Sequence, residues 1–387
     1  MKLKEICNDL PYVYDMKGDM DTEILSLVST SSEVSDRGLF FCVVGLRSDA
    51  HNYAQEAIRN GCVALVVQRF LPLDVPQVLV KSVRAAMARM CAAFYGFPSR
   101  SMKMCGITGT KGKTTTSYMF KSICEAAGFK CGLIGTTGTL IGSRKMASHL
   151  TTPDPVELQR TLRMMADEKV EIVGMEVSAH AIDMCRLDGM AFDVGCFTNF
   201  SQDHLDYFKT MDRYFETKKR FMVSESVMNA VVNADDETSE KLLPDLQAPY
   251  MTYGICADAD LFARDIEITE DGVSFEVLLH GLHSTRVKLP MTGMFNVYNA
   301  LAAASLAMVL GVDMEKIRQG LANMKSVPGR IETLETHTPY KVILDYSHSP
   351  DALRNILQTV REFARGRVIA LFGCGGGSSD SNTSDNS

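Results

Sequence analysis

The sequence predicts an α/β fold built on a mainly parallel sheet. Short apolar runs typical of buried strands alternate with segments whose apolar residues recur at helical spacing. One such strand, 102–107, overlaps a glycine-rich loop, 106–116, which leads into a helix over 118–127. Alternating strands and helices favour a parallel sheet, whose functional groups lie at the carboxyl ends of the strands.

Composition narrows the class of protein. The length of 387 residues suggests two or three domains of about 100–200 residues each. Hydrophobic residues make up 46% and charged residues 22%, so the chain can bury a core. The net charge of −7, with no basic run, argues against nucleic-acid binding. The longest apolar helical run, 300–310, is far shorter than the ~20 residues of a membrane span, so no membrane partner is expected.

The cysteines and the N-terminus indicate a cellular compartment. The eleven cysteines form no C-x-x-C pair, and several of them, such as Cys42 and Cys105, lie in apolar runs. There a reduced cysteine behaves as a small hydrophobic residue. No apolar segment of the signal-peptide type follows Met1–Glu5. We therefore expect a reducing, cytoplasmic environment and no structural zinc.

The first region, residues 1–98, reads as a small α/β domain. Its apolar patterns predict strands over 39–44, 63–67 and 78–80, and helices over 53–59 and 83–95. A segment with glycine, proline and serine, 96–99, follows as a linker.

The glycine-rich loop has the chemistry of a phosphate site. Gly109 and Gly112 allow backbone amides to approach phosphate oxygens, and the helix start adds partial positive charge. Lys113 can reach terminal phosphates, and the Thr114 hydroxyl can bind Mg²⁺. The spacing departs from the usual motif because Ile107 stands where the first glycine belongs. The alternative is a glycine- and threonine-rich turn without a ligand.

Two predicted strand ends carry potential metal ligands. Glu176 lies near the end of the strand 171–177, and Asp203 and His204 follow the strand 193–197. Carboxylate and neutral imidazole are plausible ligands of Mg²⁺ or Mn²⁺, directly or through water. Taken singly, each residue could equally be a solvated loop residue or a helix cap. Together, after a phosphate loop, they favour the metal interpretation.

The central region continues to residue 328. The remaining predicted elements are helices over 155–169, 212–224, 294–310 and 313–324, strands at 133–135 and 231–232, and a hairpin within 261–289 that turns at Asp271-Gly272. Lys218 lies on a basic helical face that by itself marks no function.

The third region begins after a candidate linker at 327–330. A strand over 341–345, a helix from Ser349-Pro350 to about Ala364 and a strand over 367–372 are predicted. Residues 329–376 are too few for a full domain, so we expect the start of an incomplete C-terminal domain. The polar tail, 377–387, is expected to be disordered.

The order of these motifs resembles that of the Mur ligase family. The matching segments are 106–115, 151–153, 175–178, 198–199, 203–206, 293–299, 327–330, 345–351 and 372–376. The resemblance is greatest to the member that adds the third residue of the peptidoglycan stem peptide. It implies a UDP-substrate domain, a P-loop ATPase-like central domain and a Rossmann-like C-terminal domain, truncated here.

The resemblance also implies an activity. The chain would be an ATP- and Mg²⁺-dependent ligase that adds meso-diaminopimelate or lysine to UDP-MurNAc-L-Ala-D-Glu through an acyl phosphate. It would act as a cytoplasmic monomer. Two alternatives remain: a truncated, non-catalytic remnant that binds nucleotide and UDP-substrate, and a folylpolyglutamate-type ligase.

Carried over residue by residue, the resemblance implies the roles of the site residues. Nucleotide would be bound by Gly109, Thr110, Lys111, Gly112, Lys113, Thr114, Thr115, Asn299, Arg330, Asp345 and His348. The metal site would include Thr114, Glu176, His204 and Lys218, the last as a carbamylated lysine. The catalytic residues would be Lys113, Glu176, His204 and Lys218. The UDP-muramoyl-dipeptide would contact Ser31, Thr151, Thr152, Ser178 and Arg186.

Overall fold

The structure is a computed structural model. It describes residues 1–373 except Asp9, Tyr12, Leu46, Arg47, His149, Cys256, Ala257, Leu282, Glu335, His348, Ser349 and Arg365. The predicted tail at 377–387 and the candidate nucleotide residue His348 therefore lie outside the described residues.

Strands and helices alternate along most of the chain. The strands are β1 Val13–Lys17, β2 Ser26–Val28, β3 Gly38–Phe41, β4 Cys62–Val67, β5 Gln77–Val80, β6 Lys103–Thr108, β7 Cys131–Gly135, β8 Gly138–Ile141, β9 Arg144–Met146, β10 Ile172–Glu176, β11 Val194–Phe197, β12 Ala230–Asn233, β13 Tyr250–Gly254, β14 Leu261–Thr269, β15 Gly272–Leu279, β16 His283–Leu289, β17 Glu332–Leu334 and β18 Val342–Leu344. The helices are α1 Leu3–Cys7, α2 Ala54–Arg59, α3 Val83–Phe94, α4 Lys113–Ala126, α5 Pro155–Asp167, α6 Ala179–Asp183, α7 Leu205–Phe208, α8 Met211–Met222, α9 Ser239–Leu242, α10 Met294–Val309, α11 Met314–Ala322 and α12 Pro350–Phe363. Short 3₁₀ helices span Ala50–Tyr53, Pro98–Ser101 and Leu243–Asp245.

Internal contacts divide the chain into two compact units. The first comprises Met1–Lys103, Thr152–Glu171 and Ser178–Ala191. The second comprises Met104–Thr151, Ile172–Val177 and Phe192–Ser387. Helices α5 and α6 therefore belong to the first unit, although the glycine-rich loop and β10 belong to the second.

The first unit is built on a sheet with the strand order β1-β5-β4-β3-β2. Within this sheet, adjacent strands from β2 to β5 pair in parallel, whereas β1 pairs antiparallel with β5 at one edge. Helix α3 buries Met87, Met90 and Cys91 in the core of this unit, and Val156 of α5 packs against the same cluster. The predicted α/β character of this region is confirmed.

The second unit contains the larger sheet, in the order β16-β15-β14-β13-β12-β11-β6-β10-β7-β8-β9. The pairs β6–β11, β11–β12, β12–β13 and β7–β10 are parallel. Strands β14 to β16 form an antiparallel meander. Its first turn consists of Glu270 and Asp271, one residue before the predicted Asp271-Gly272, and Gly272 begins β15. The parallel central strands confirm the predicted fold class, and their carboxyl ends share one edge of the sheet.

Helices α4, α10 and α11 contribute to the main apolar cluster of the second unit. Ile123 of α4, Leu301 and Leu306 of α10 and Ile317 of α11 are all at most 1% exposed. Helix α10 is rich in alanine and leucine, which have the highest helix propensities and allow close packing. None of the helices in the described part of the chain has the length and apolarity needed to span a membrane.

Two predicted elements differ from the structure. Helix α4 begins at Lys113 rather than at Tyr118. The prediction missed the first turn because residues 113–117 are polar and show no apolar periodicity. The predicted strand over 367–372 is wrong: no strand is formed there, and Leu371 is fully exposed. A strand needs a partner for its backbone hydrogen bonds, and in the described residues β17 and β18 pair only with each other.

Candidate nucleotide and metal site

The glycine-rich loop joins the end of β6 to the start of α4. Gly109 has a φ of 142° and Gly112 a φ of 85°, values that favour glycine. A Cβ on Gly109 would lie 2.0 Å from Thr198 Oγ1, and one on Gly112 would lie 2.4 Å from Asn299 Oδ1. Both distances are too short for any side chain, so the loop requires glycine at both positions.

The segment after β11 holds this loop in place. Thr198 Oγ1 donates to Lys111 O at 2.7 Å, and Asn199 Nδ2 donates to the same oxygen at 3.0 Å. In return, Lys111 N donates to Asn199 Oδ1 at 2.8 Å, and Thr110 N donates to Asn199 O at 2.9 Å. The sequence places Thr198 and Asn199 in a family motif without a role. Because β6 and β11 are parallel neighbours, the structure makes them the support of the loop.

Glu176 is a buried carboxylate at the end of β10. The residue is 0% exposed. Its Oε2 accepts hydrogen bonds from Thr114 Oγ1 and Thr136 Oγ1, each at 3.0 Å, and its Oε1 accepts one from Thr136 N at 2.9 Å. These donors compensate for the loss of water around the carboxylate. Sequence reasoning missed Thr136, whose only signal is its position directly after strand β7.

The pair of Thr114 and Glu176 fits a Mg²⁺ ion by its chemistry. Hydroxyl and carboxylate oxygens are hard ligands, and these two lie 3.0 Å apart at the start of α4. Mg²⁺ commonly keeps several waters and binds few protein groups together with substrate phosphates. Over the described residues, no group of three or more His, Cys, Asp or Glu side chains forms a ready-made metal site. The residues present therefore suit a nucleotide-bound Mg²⁺ better than an all-protein cage.

Two lysine amines meet at the carbonyl of Gly109. Lys113 Nζ donates to Gly109 O and Thr110 O, both at 2.9 Å. Lys218 Nζ, from α8, donates to Gly109 O at 2.7 Å. Burial lowers the pKa of Lys113, and burial together with the charge of Lys113 holds the pKa of Lys218 well below its ordinary value. The Lys113 amine must therefore break its hydrogen bonds to the carbonyls of Gly109 and Thr110 before it can contact a phosphate.

Asp203 and His204 also lie beside the loop. Asp203 Oδ1 is 3.7 Å from His204 Nδ1, and its Oδ2 is 3.7 Å from Lys111 Nζ. Burial acts to raise the pKa of Asp203, but the charges of His204 and Lys111 outweigh it, and the pKa lies below its ordinary value. Asp203 also acts electrostatically on Lys113 and Lys218. His204 keeps 46% of its side chain exposed, so it remains accessible to a ligand.

Asn299 reaches the loop from helix α10. Its Oδ1 accepts a hydrogen bond from Thr116 Oγ1 at 3.4 Å, and its Nδ2 donates to Asn296 Oδ1 at 3.1 Å. Its close approach to Gly112 places this amide against the first turn of α4. The structure therefore brings Asn299 to the predicted phosphate loop from a position almost 190 residues away in sequence.

Arg330 and Asp345 belong to the segment that follows α11. The charge of Arg330 helps to lower the pKa of Lys113, so it lies within electrostatic range of the loop. Asp345 Oδ2 accepts a hydrogen bond from Ile331 N at 2.9 Å, and its Oδ1 accepts one from Ser347 N at 2.9 Å. Asp345 therefore orders the backbone next to Arg330.

Three of the predicted substrate residues form a hydrogen-bonded group in the first unit. Thr152 Oγ1 accepts from Ser178 N at 3.1 Å and donates to Ser178 Oγ at 3.2 Å. Arg186 Nη1 donates to Thr152 O at 2.6 Å. Ser178 also caps helix α6. Predicted substrate residues from three separate places in the sequence thus converge on one polar cluster.

The other two predicted substrate residues have different neighbours. Ser31 Oγ donates to Glu56 Oε2 at 3.0 Å in the first unit. Thr151 belongs to the second unit, where its hydroxyl lies 3.0 Å from the hydroxyl of Thr136, the residue that holds Glu176. Thr151 is therefore linked to the candidate metal site through a single side chain.

Comparison with known families covers most of the chain. Residues 107–307 match the Mur ligase middle domain, and residues 329–385 match the Mur ligase, glutamate ligase domain. The first match includes nearly all of the glycine-rich loop, and the second includes Arg330 and Asp345.

Individual relatives and solved structures are similar to this chain over most of its length. The UDP-N-acetylmuramoyl-L-alanyl-D-glutamate--2,6-diaminopimelate ligase 1 of Clostridium acetobutylicum is 41% identical over 97% of this chain and 78% of the relative. A solved structure of a UDP-N-acetylmuramoyl-L-alanyl-D-glutamate--2,6-diaminopimelate ligase superposes with a TM-score of 0.82 at 26% identity, over 97% of this chain and 77% of the other. Folylpolyglutamate synthase of Mycobacterium tuberculosis, solved with ADP and AMPPCP, reaches a TM-score of 0.61 at 19% identity over 72% of this chain and 70% of its own, a likeness of fold alone.

Proposed function

This chain belongs to the Mur ligase family, and from that premise we propose that it joins 2,6-diaminopimelate to UDP-MurNAc-L-Ala-D-Glu at the expense of ATP. Family members are ATP-dependent, amide-bond-forming ligases. The observation that carries the proposal is the 41% identity, over 97% of this chain, to a relative named for that reaction. Lysine is the alternative amino acid.

The proposal divides the chain by task. Residues 1–98 bind the UDP part of the substrate, residues 99–328 bind ATP, and residues 329–376 form the part of the ligase domain present in this chain. Matches to the family's middle and glutamate ligase domains over 107–307 and 329–385 support the last two assignments. The cluster of Thr152, Ser178 and Arg186, with Ser31 and Thr151, contacts the muramoyl-dipeptide.

The glycine-rich loop and its neighbours hold the nucleotide. The backbone amides of the loop and the N-terminus of α4 face the phosphates. Lys113 leaves the carbonyls of Gly109 and Thr110, to which it is bonded at 2.9 Å, and contacts the phosphates instead. The further nucleotide contacts come from Thr110, Lys111, Gly112, Thr114, Thr115, Asn299, Arg330 and Asp345.

The reaction has two steps. A substrate carboxylate is a poor electrophile because its charge and resonance disfavour attack by an amine. A carboxylate oxygen therefore attacks the γ-phosphorus of ATP, the bond between that phosphorus and the bridging oxygen breaks, and ADP leaves. The amine of the amino acid then attacks the acyl carbon, phosphate leaves with the bonding electrons, and the amine loses a proton. The chain contributes mainly position and charge.

The metal ligands follow the same assignment. Mg²⁺, when bound, neutralises charge on the phosphates. Thr114, Glu176 and His204 would hold it, and Lys218 would contribute after its amine forms an N–C bond to CO₂ and releases a proton. Two observations support this use of Lys218: it is 1% exposed, and it lies 2.7 Å from the loop carbonyl of Gly109.

The proposal places the protein in the cytoplasm, where ATP is available, and treats it as a monomer. Nine cysteines are free thiols in the described structure, most of them buried, and this suits a reducing compartment. Sedimentation of the purified chain tests the monomer: a second copy in the particle would contradict it.

A ligation assay tests the function. The 387-residue chain receives ATP, Mg²⁺, bicarbonate and UDP-MurNAc-L-Ala-D-Glu, with 2,6-diaminopimelate or lysine in separate reactions. Mass spectrometry reads the UDP-linked product, and Lys113→Met serves as the inactive control. We expect a tripeptide product with diaminopimelate. A product with lysine alone corrects the amino acid, and the absence of product with both rejects the proposed reaction.

A further inference from the structure

We propose that Tyr214 is a positioning residue that fixes Lys218 and His204 relative to the glycine-rich loop. The inference rests on the proposed function, since it concerns the residues assigned there to the metal site. Tyr214 is 1% exposed and lies on α8, one helical turn before Lys218. Residues four apart on a helix are neighbours on one face.

The face of the ring holds the lysine. Lys218 Nζ lies 4.7 Å from the centroid of the Tyr214 ring while it donates to Gly109 O at 2.7 Å. The amine is therefore located between an aromatic face and a loop carbonyl. A smaller aliphatic side chain at position 214 would leave one of these two supports missing.

The rest of the ring contacts the other parts of the site. The His204 ring lies edge-on to the Tyr214 ring, with centroids 6.0 Å apart and planes at 83°. The Tyr214 hydroxyl lies 3.5 Å from the hydroxyl of Thr110, within the glycine-rich loop. Tyr214 thus contacts three elements that are distant in sequence: the loop, the segment after β11, and the next turn of its own helix.

Two further aromatic rings fix the orientation of Tyr214. Phe200 and Phe208 each lie with centroids 5.1 Å from that of Tyr214, at interplanar angles of 40° and 33°. A buried ring packed in this way has little freedom to rotate. Mutation of a residue that orients a metal ligand typically weakens metal binding by about 10- to 100-fold.

The neighbouring residue provides a matched control. Phe215 is also buried, at 6% exposed, and lies on the same helix. Its ring packs against Phe197 and Phe200, with centroids 6.4 and 5.3 Å away. Phe215→Leu therefore removes a buried aromatic ring of similar size from the same helix, and it tests how far loss of packing alone explains an effect.

The experiment measures Mn²⁺ binding in the presence of ADP, by the electron paramagnetic resonance signal of free Mn²⁺, without amino acid or turnover. We expect Tyr214→Leu to weaken Mn²⁺ binding by about 10-fold or more. Tyr214→Phe keeps the ring and should stay within about twofold of the wild type, as should Phe215→Leu. Thermal melts of all four proteins establish that each is folded under the conditions of the assay.

The outcomes separate positioning from packing. Weakening by Tyr214→Leu together with recovery in Tyr214→Phe supports the proposal. Equal weakening by Tyr214→Leu and Phe215→Leu, or no weakening by either, overturns it, as does a wild type that binds no Mn²⁺ with ADP. A failure of the ligase assignment is seen separately, as a wild type that binds Mn²⁺ and ADP but forms no amide.

Discussion

Helix α4 borders two different environments. At its first turn, Thr114 and Lys113 face a buried carboxylate and the loop carbonyls. Further along, Phe120 and Ile123 belong to an apolar cluster that includes helices α10 and α11. The polar end carries charges whose burial costs free energy, whereas the apolar end supplies free energy through buried area. The comparison suggests that one end was selected for chemistry and the other for stability.

The largest expected effect is on activity at the polar end. Lys113→Met removes the amine proposed to contact phosphate, and the ligation rate should fall about 10²- to 10³-fold, as for the loss of one charge-stabilising group. Burial lowers the pKa of this amine because it disfavours the charged form. Removing the amine should therefore not lower the melting temperature. A variant that unfolds earlier than the wild type would mean that this end also carries stability.

The next effect is on stability at the apolar end. Leu306→Ala removes a side chain that is 0% exposed in α10, and the free energy of unfolding should fall by about 2–5 kcal/mol. ADP binding to the folded protein should be unchanged by calorimetry. Ser305→Ala is the control on the same helix: among the described atoms, Ser305 Oγ has no hydrogen-bond partner, so its loss should not destabilise. Weaker ADP binding in Leu306→Ala would show that the two ends are coupled.

A third prediction concerns pH. Burial depresses the pKa of Lys218 in the folded protein below its ordinary value of 10.5. At pH values between the folded-state pKa and 10.5, the unfolded chain therefore binds more protons than the folded one. The free energy of unfolding contributed by this group therefore rises with pH across that window.

Lys218→Met should remove this slope. In bicarbonate-free buffer at pH 7, the variant should be more stable than the wild type, and the difference should shrink towards pH 10. Urea unfolding at a series of pH values measures it. A difference that grows with pH would contradict the assigned direction.

The smallest effect tests how closely α4 and α11 pack. In an exposed helix, alanine is better than glycine by about 1 kcal/mol. A Cβ on Gly320, however, would lie 2.3 Å from Ile123 Cα, a backbone atom that cannot move easily. Gly320→Ala should therefore destabilise by about 1–3 kcal/mol. The exposed Arg318→Ala on the same helix should change stability by less than about 0.5 kcal/mol. A stabilised Gly320→Ala would mean that the helices can separate without cost.

Local pattern was enough for the fold class and for the glycine-rich loop. The alternation of strands and helices and the Gly-Lys-Thr at a strand-to-helix junction are short-range features, and they predicted the parallel sheet and the loop between β6 and α4. The strand predicted at 367–372 is not formed, and the reason is that a strand depends on more than local pattern. Its apolar pattern is local, but a strand forms only where another strand offers hydrogen bonds.

Tertiary structure alone decided which groups meet around the loop. Lys113 and Lys218 share the carbonyl of Gly109 although the two lysines are 105 positions apart in the sequence. Thr136 reaches Glu176, and Tyr214 reaches Thr110, through the order of the strands and the packing of α8. A sequence specifies which side chains are available at each strand end. Which of them lie within hydrogen-bonding distance depends on strand order and helix packing, which arise only when the whole sheet is assembled.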